Sequence, residues 1–196
     1  MAMTLAEFDG LVEGSRESSS LDFKTACSWH VKTMARDILA FSNLQGGGFI
    51  VFGIDDETFE RRGLTEEQVK TFDLEKMQDQ MAEYADPFVT FDLHKNIIDD
   101  EGRRFVVIHI SEFIEVPVVC KKEAHDSLQN LLLRKGGLYY RTKNRRPESA
   151  EVSNSYDMRD ILDRAAIKMM TKRKKQGFTA VSAEQTNYYE NELGGL

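Results

Sequence analysis

Apolar positions recur along this chain at two different periods, and the switches between them lay out its elements. Leu21-Asp22-Phe23-Lys24 alternates apolar and polar, the period of a half-buried strand. From Trp29 the spacing changes. Val31, Met34, Ala35, Ile38 and Leu39 fall at i, i+3, i+4, i+7 and i+8, which predicts a helix running to Leu44. It stops at Asn43-Leu44-Gln45-Gly46-Gly47-Gly48, where glycine takes the left-handed cap conformation without steric cost. Phe49 to Ile54 is a continuous apolar run bounded by turn residues and predicts a central strand. Thr65-Glu66-Glu67-Gln68 has the form of a capping box and opens a second helix, with Val69, Phe72, Met77 and Met81 on its buried side.

Asp86-Pro87 breaks that helix, and residues 88–98 alternate as a strand. The turn Asp99-Asp100-Glu101-Gly102 leads to a returning strand from Arg104 to Ile110. Its His109 shares a face with Phe105 and Val107, which predicts a structural histidine. Pro117, inside the apolar run Val116 to Cys120, marks an edge strand or strand start. Leu131–Leu133 and Leu138–Arg141 read as a hairpin around Arg134-Lys135-Gly136-Gly137. A last helix runs from about Asp157 to Lys172, with Met158, Ile161, Leu162, Ala165, Met169 and Met170 at helical spacing. The expectation is a single α+β domain: a mixed sheet packed with helices, ending in a helix and a polar tail. Its division is a polar lead-in over 1–16 with a helical turn at Leu5–Leu11, a domain over 17–172, and a basic-to-polar tail over 173–196.

Composition narrows the function classes. The 196 residues are 41% hydrophobic and 30% charged, a globular mixture with room for one real core. No apolar run nears the roughly 18 residues of a membrane helix, and the start MAMTLAEFDGLVEG lacks a signal peptide's basic and apolar blocks. A cytoplasmic protein without membrane contact is expected. Cys27 and Cys120 read as buried free thiols, and the scattered His30, His94, His109 and His125 form no zinc pattern. The net charge of −7 argues against indiscriminate polyanion binding. Positive charge is nonetheless concentrated in Arg141, Lys143, Arg145 and Arg146, and again in Lys172, Arg173, Lys174 and Lys175. Such runs are the ordinary composition of a solvated surface, and the second also suits the negative end of a helix dipole. They are equally the places where a phosphate backbone would be gripped.

Familiar nucleotide devices are absent. Gly46–Gly48 follows a helix and precedes a strand, the reverse of a Walker loop or a Rossmann turn, and no Gly-Lys-Ser/Thr follows. There is no Gly-x-Ser-x-Gly elbow.

Four segments in order resemble another pattern. They are Glu17-Ser18 with Leu21-Asp22-Phe23-Lys24; Ile38 to Asn43 with Gly46–Gly48 and Phe52-Gly53-Ile54-Asp55-Asp56; Pro87, then Phe105–Ile108 and Pro117-Val118; and Leu138-Tyr139-Tyr140-Arg141-Thr142 with Ser149-Ala150. Together, over about residues 13–165, they resemble the AlbA-like domain of the Schlafen superfamily (AlbA_2, also called divergent AAA-4). That resemblance implies a nucleic-acid-binding domain, of RNA or DNA, working in regulation or phage defence. Arg141, Lys143, Arg145 and Arg146, with Lys172 and Arg173, would be its phosphate contacts. The resemblance equally implies an alternative, a metal-dependent endoribonuclease of tRNA or rRNA. Its catalytic residues would then be Glu17, Asp22, Lys24, Asp55 and Asp56, with Glu17, Asp22 and Asp55 holding Mg²⁺ or Mn²⁺. Hard divalent ions want several carboxylate oxygens, and Lys24 would neutralise developing negative charge. Asp22 stands where the family usually has glutamate. A third implication follows from the effector modules that often accompany this domain: homo-oligomerisation, or service as a non-catalytic subunit beside a separate effector protein.

Overall fold

The computed structural model describes residues 3–13, 17–142 and 147–177. In chain order the elements are α1 (Leu5–Val12), β1 (Leu21–Lys24), α2 (Val31–Ser42), β2 (Gly48–Phe52), α3 (Glu66–Thr71), α4 (Leu74–Ala82), β3 (Ala85–Asp86), β4 (Phe91–Ile98), β5 (Arg104–Ile110), β6 (Val119–Cys120), β7 (Ala124–His125), β8 (Leu131–Leu133), β9 (Tyr139–Arg141), β10 (Ser149–Glu151) and α5 (Ser155–Lys175). The main sheet has the order β1-β2-β5-β4. β1 runs parallel to β2, and the other two pairings are antiparallel, so the sheet is mixed, as the expected fold class has it.

Strand alternation assigns the two faces. Leu21 and Phe23 join Val51, Phe105 and Val107 in a smaller core that α1 closes with Phe8 and Val12. Ile50, Phe52, Val106, Ile108 and Ile110 face the other way, into the larger core under α2. Side chains alternate along a strand, so Asp22 and Lys24 turn toward this second face. α1 is fixed by a reciprocal capping box: the Glu7 N–H donates to Thr4 Oγ1, and the Thr4 N–H donates to the Glu7 carboxylate. The segment read as a lead-in therefore supplies Phe8, a fully buried core residue.

Two local expectations are corrected. The single helix opening at Thr65 is two helices, α3 and α4. Phe72 turns into the core against Phe52, and Asp73 then starts α4 by accepting the Lys76 N–H. Leu131–Leu133 and Leu138–Arg141 are not partners in a hairpin. β8 pairs with β7 and β9 with β10, because Cys120 occupies the intervening turn: its carbonyl accepts the Gly136 N–H and its N–H donates to the Gly137 carbonyl.

The triple glycine is a packing device. Gly47 has φ +74°, and a Cβ there would lie 2.0 Å from the Ile110 carbonyl oxygen; one on Gly48 would lie 2.2 Å from the Phe41 ring. That close approach seats α2 against β2 and β5.

Candidate nucleic-acid interface

β1 carries the polar side of the site into the larger core. Asp22 is buried, and both of its oxygens meet cations: Oδ1 lies 2.7 Å from Arg141 Nη2 on β9, and Oδ2 lies 2.8 Å from Lys24 Nζ. Lys24 Nζ also reaches Asp37 Oδ2 on α2, at 3.0 Å. Burial works against the Lys24 charge, but Asp37 and then Asp22 outweigh it, and the ammonium pKa is raised. The Arg141 guanidinium stands 5.1 Å above the Phe41 ring. Two carboxylates and two cations thus balance each other across three elements, which is how buried charge becomes tolerable.

Glu17 comes to this cluster from the segment before β1. Its carboxylate accepts the Phe23 N–H at 3.2 Å. Burial first, and then the neighbouring Asp22 charge, pushes its carboxyl above the ordinary range. Glu17, Asp22 and Lys24 are therefore brought together. Asp55 and Asp56 are not. The β1–β2 register sets Asp22 beside Ile50, and the chain runs on about 10 Å, three steps of about 3.3 Å from Ile50 to Gly53, before it turns. Beyond that turn Asp55 organises its own loop, accepting the Thr58 and Glu57 N–H groups at 2.9 and 3.2 Å and pairing with Arg62 at 3.1 Å. Thr58 foremost holds its carboxyl below the usual carboxylate range. Asp56 is exposed.

These residues do not fit the expected divalent ion. The Asp22 oxygens are already committed to Arg141 and Lys24, and Asp55 is committed elsewhere. Among the described residues no three His, Cys, Asp or Glu side chains group so as to hold a metal.

The expected phosphate contacts also divide. Arg141 is 2% exposed and spends its charge inward on Asp22, so it is corrected from a surface contact to a buried partner. Lys143, Arg145 and Arg146 lie outside the described residues. Lys172 pairs with Glu115, while Arg173 is exposed in the last turn of α5. Two cations that sequence reading did not single out are Lys32 and Arg36. They stand one turn apart on the solvent side of α2, exposed and without an ion-pair partner among the described residues. The signal was their spacing of four on the polar side of the Val31–Leu39 pattern. A third residue whose role the sequence did not disclose is Asn43. Fully buried, it accepts the Val118 N–H and donates to the Val118 and Tyr139 carbonyls, stitching the end of α2 to β9 and the 118 segment.

No helix among the described residues is long and apolar enough to cross a membrane. Among curated proteins none matches this sequence significantly. Of solved structures, the DIP2311 protein from Corynebacterium diphtheriae is similar at 16% identity and a TM-score of 0.44, over 76% of this chain and 26% of that one. The chain thus spans about a quarter of that protein's length. The model of the family described as Schlafen, AlbA_2 matches residues 17–148. That match covers most of the chain and takes in β1, α2 and β9, the elements that build the ion-paired cluster. The chain belongs to the Schlafen AlbA_2 family, a membership that supports a nucleic-acid-binding type of role.

Proposed function

We propose that this domain binds the sugar–phosphate backbone of a nucleic acid across the solvent face of α2, with Lys32 and Arg36 as phosphate contacts. The observation that carries the reading is the state of these two cations. In a chain of net charge −7, they are exposed on one helical face and have no ion-pair partner among the described residues. The two cations of the buried cluster are occupied, Arg141 by Asp22 and Lys24 by Asp22 and Asp37, and on α5 Lys172 pairs with Glu115. Free ammonium and guanidinium groups gain affinity by releasing the condensed counterions of a polyanion. The buried quartet then acts as a brace, because Asp37, next to Arg36, is tied through Lys24 to β1.

The test is a direct titration of labelled single-stranded RNA, single-stranded DNA and their duplexes with the protein and with the Lys32→Glu/Arg36→Glu variant. The reading expects weaker binding by the variant with its fold unchanged by circular dichroism. Equal affinity of the two proteins would remove α2 as the interface. Incubating tRNA with Mg²⁺ or Mn²⁺ in the same series addresses the endoribonuclease alternative. Cleavage that EDTA and Glu17→Ala both abolish would replace binding alone with catalysis.

A further inference from the structure

α5 is 21 residues long, about 31 Å of helix, yet among its side chains only Ile161 and Ala165 are buried. One side of it is tied down. Arg164 donates to Glu112 at 2.7 Å and to the Asn43 carbonyl, Lys168 stands 3.5 Å from Glu112, and Lys172 pairs with Glu115. These three cations recur every four residues and form one row. A second row, also four apart, is Met158, Leu162, Ala166 and Met170, and all four are exposed. Leu162 is 54% exposed and Met170 is 70% exposed, large apolar groups on a helix whose core contact lies elsewhere. An amphipathic helix buries one apolar stripe; this one carries a second.

The charge along α5 says what covers that stripe. The half from Ser155 to Ala165 carries Asp157, Asp160 and Asp163 against Arg159 and Arg164 and is net acidic, whereas the half from Ala166 to Lys175 carries Lys168, Lys172, Arg173, Lys174 and Lys175 and no acid. A second α5 laid antiparallel sets the acidic half of each helix along the basic half of the other. A parallel pair would bring the two basic ends together, where like charges repel. Ala166, midway between Leu162 and Met170, is the small residue at which two helix backbones approach most closely.

We propose that two copies of this chain associate through the exposed stripe of α5 in an antiparallel, two-fold pair centred near Ala166. Leu162 of each copy then faces Met170 of the other, twice per dimer, as a self-complementary interface requires. The proposal is independent of the nucleic-acid reading, since Lys32 and Arg36 lie on another helix.

The test uses the full chain in size-exclusion chromatography with light scattering. The wild type is expected as a dimer that dissociates on dilution, and Leu162→Glu as a monomer with unchanged circular dichroism, since the residue is already half in water. Leu162→Glu/Met170→Lys is expected to restore the dimer, because antiparallel packing sets each new glutamate against a new lysine. A wild type that stays monomeric at its highest soluble concentration would overturn the proposal. So would a Leu162→Glu protein that remains dimeric, or a double variant that does not recover.

Discussion

Arg141 and Asp22 are separated by 119 residues of chain and by 2.7 Å between Nη2 and Oδ1. This bond joins the first recognisable segment of the domain to the last and closes β9 over the edge strand of the sheet. Both side chains are almost fully buried, and Lys24 takes the other oxygen of the same carboxylate. The arginine that sequence reading placed on the surface is therefore a structural element of the core.

Breaking that pair is expected to be costly. Arg141→Met or Asp22→Asn leaves an uncompensated buried charge, and each should lower the free energy of unfolding by about 3–5 kcal/mol. The double variant should lose clearly less than the sum, because neither charge remains without the other. Urea unfolding of the four proteins measures the coupling; additive losses would show that the contact contributes no pairwise energy.

Glu17 predicts a dependence on pH with a definite sign. Burial and Asp22 raise its folded pKa above the ordinary 4.5, so the folded protein keeps this proton longer than the unfolded chain does. The stability the group lends is present on the acid side and is lost as pH rises through the folded value. Glu17→Gln keeps the acceptor for the Phe23 N–H and removes the charge. It should raise the melting temperature at about pH 7 and change it little at about pH 4, the pH at which both states of the wild type bind the proton. A Glu17→Gln protein less stable at neutral pH would contradict this electrostatic account.

Asn43 separates shape from hydrogen bonding. Asn43→Ala strands the buried Val118 N–H and two carbonyls and should cost about 1–3 kcal/mol per group left unsatisfied. Asn43→Asp retains the volume but sets negative charge against the Val118 and Tyr139 carbonyl oxygens. It should therefore be worse than alanine. Chemical denaturation ranks the two, and aspartate equal to asparagine would show that the amide donor is dispensable.

Periodicity made the larger elements legible. The alternation of Leu21–Lys24, the helical spacing from Val31 and the unbroken run from Phe49 gave β1, α2 and β2 correctly, and the order of short motifs gave the family. Pairing between distant short strands was not legible. Leu131–Leu133 and Leu138–Arg141 look like a hairpin locally, and only Cys120, arriving from elsewhere in the chain, decides otherwise. Charge was the hardest feature to read. An arginine in a basic run looks solvated until its partner is known, and the partner of Arg141 lies on another strand. The same difficulty hid Lys32 and Arg36, which stand exposed without an ion-pair partner among the described residues.

The most direct measurement of the central claim is the salt dependence of nucleic-acid binding. Log K against log salt should be linear for the wild type. For Lys32→Gln/Arg36→Gln, which removes two phosphate contacts, the slope should be shallower by about 1.4 on single strands and about 1.8 on duplex. A slope identical to that of the wild type would contradict the assignment of Lys32 and Arg36 as phosphate contacts.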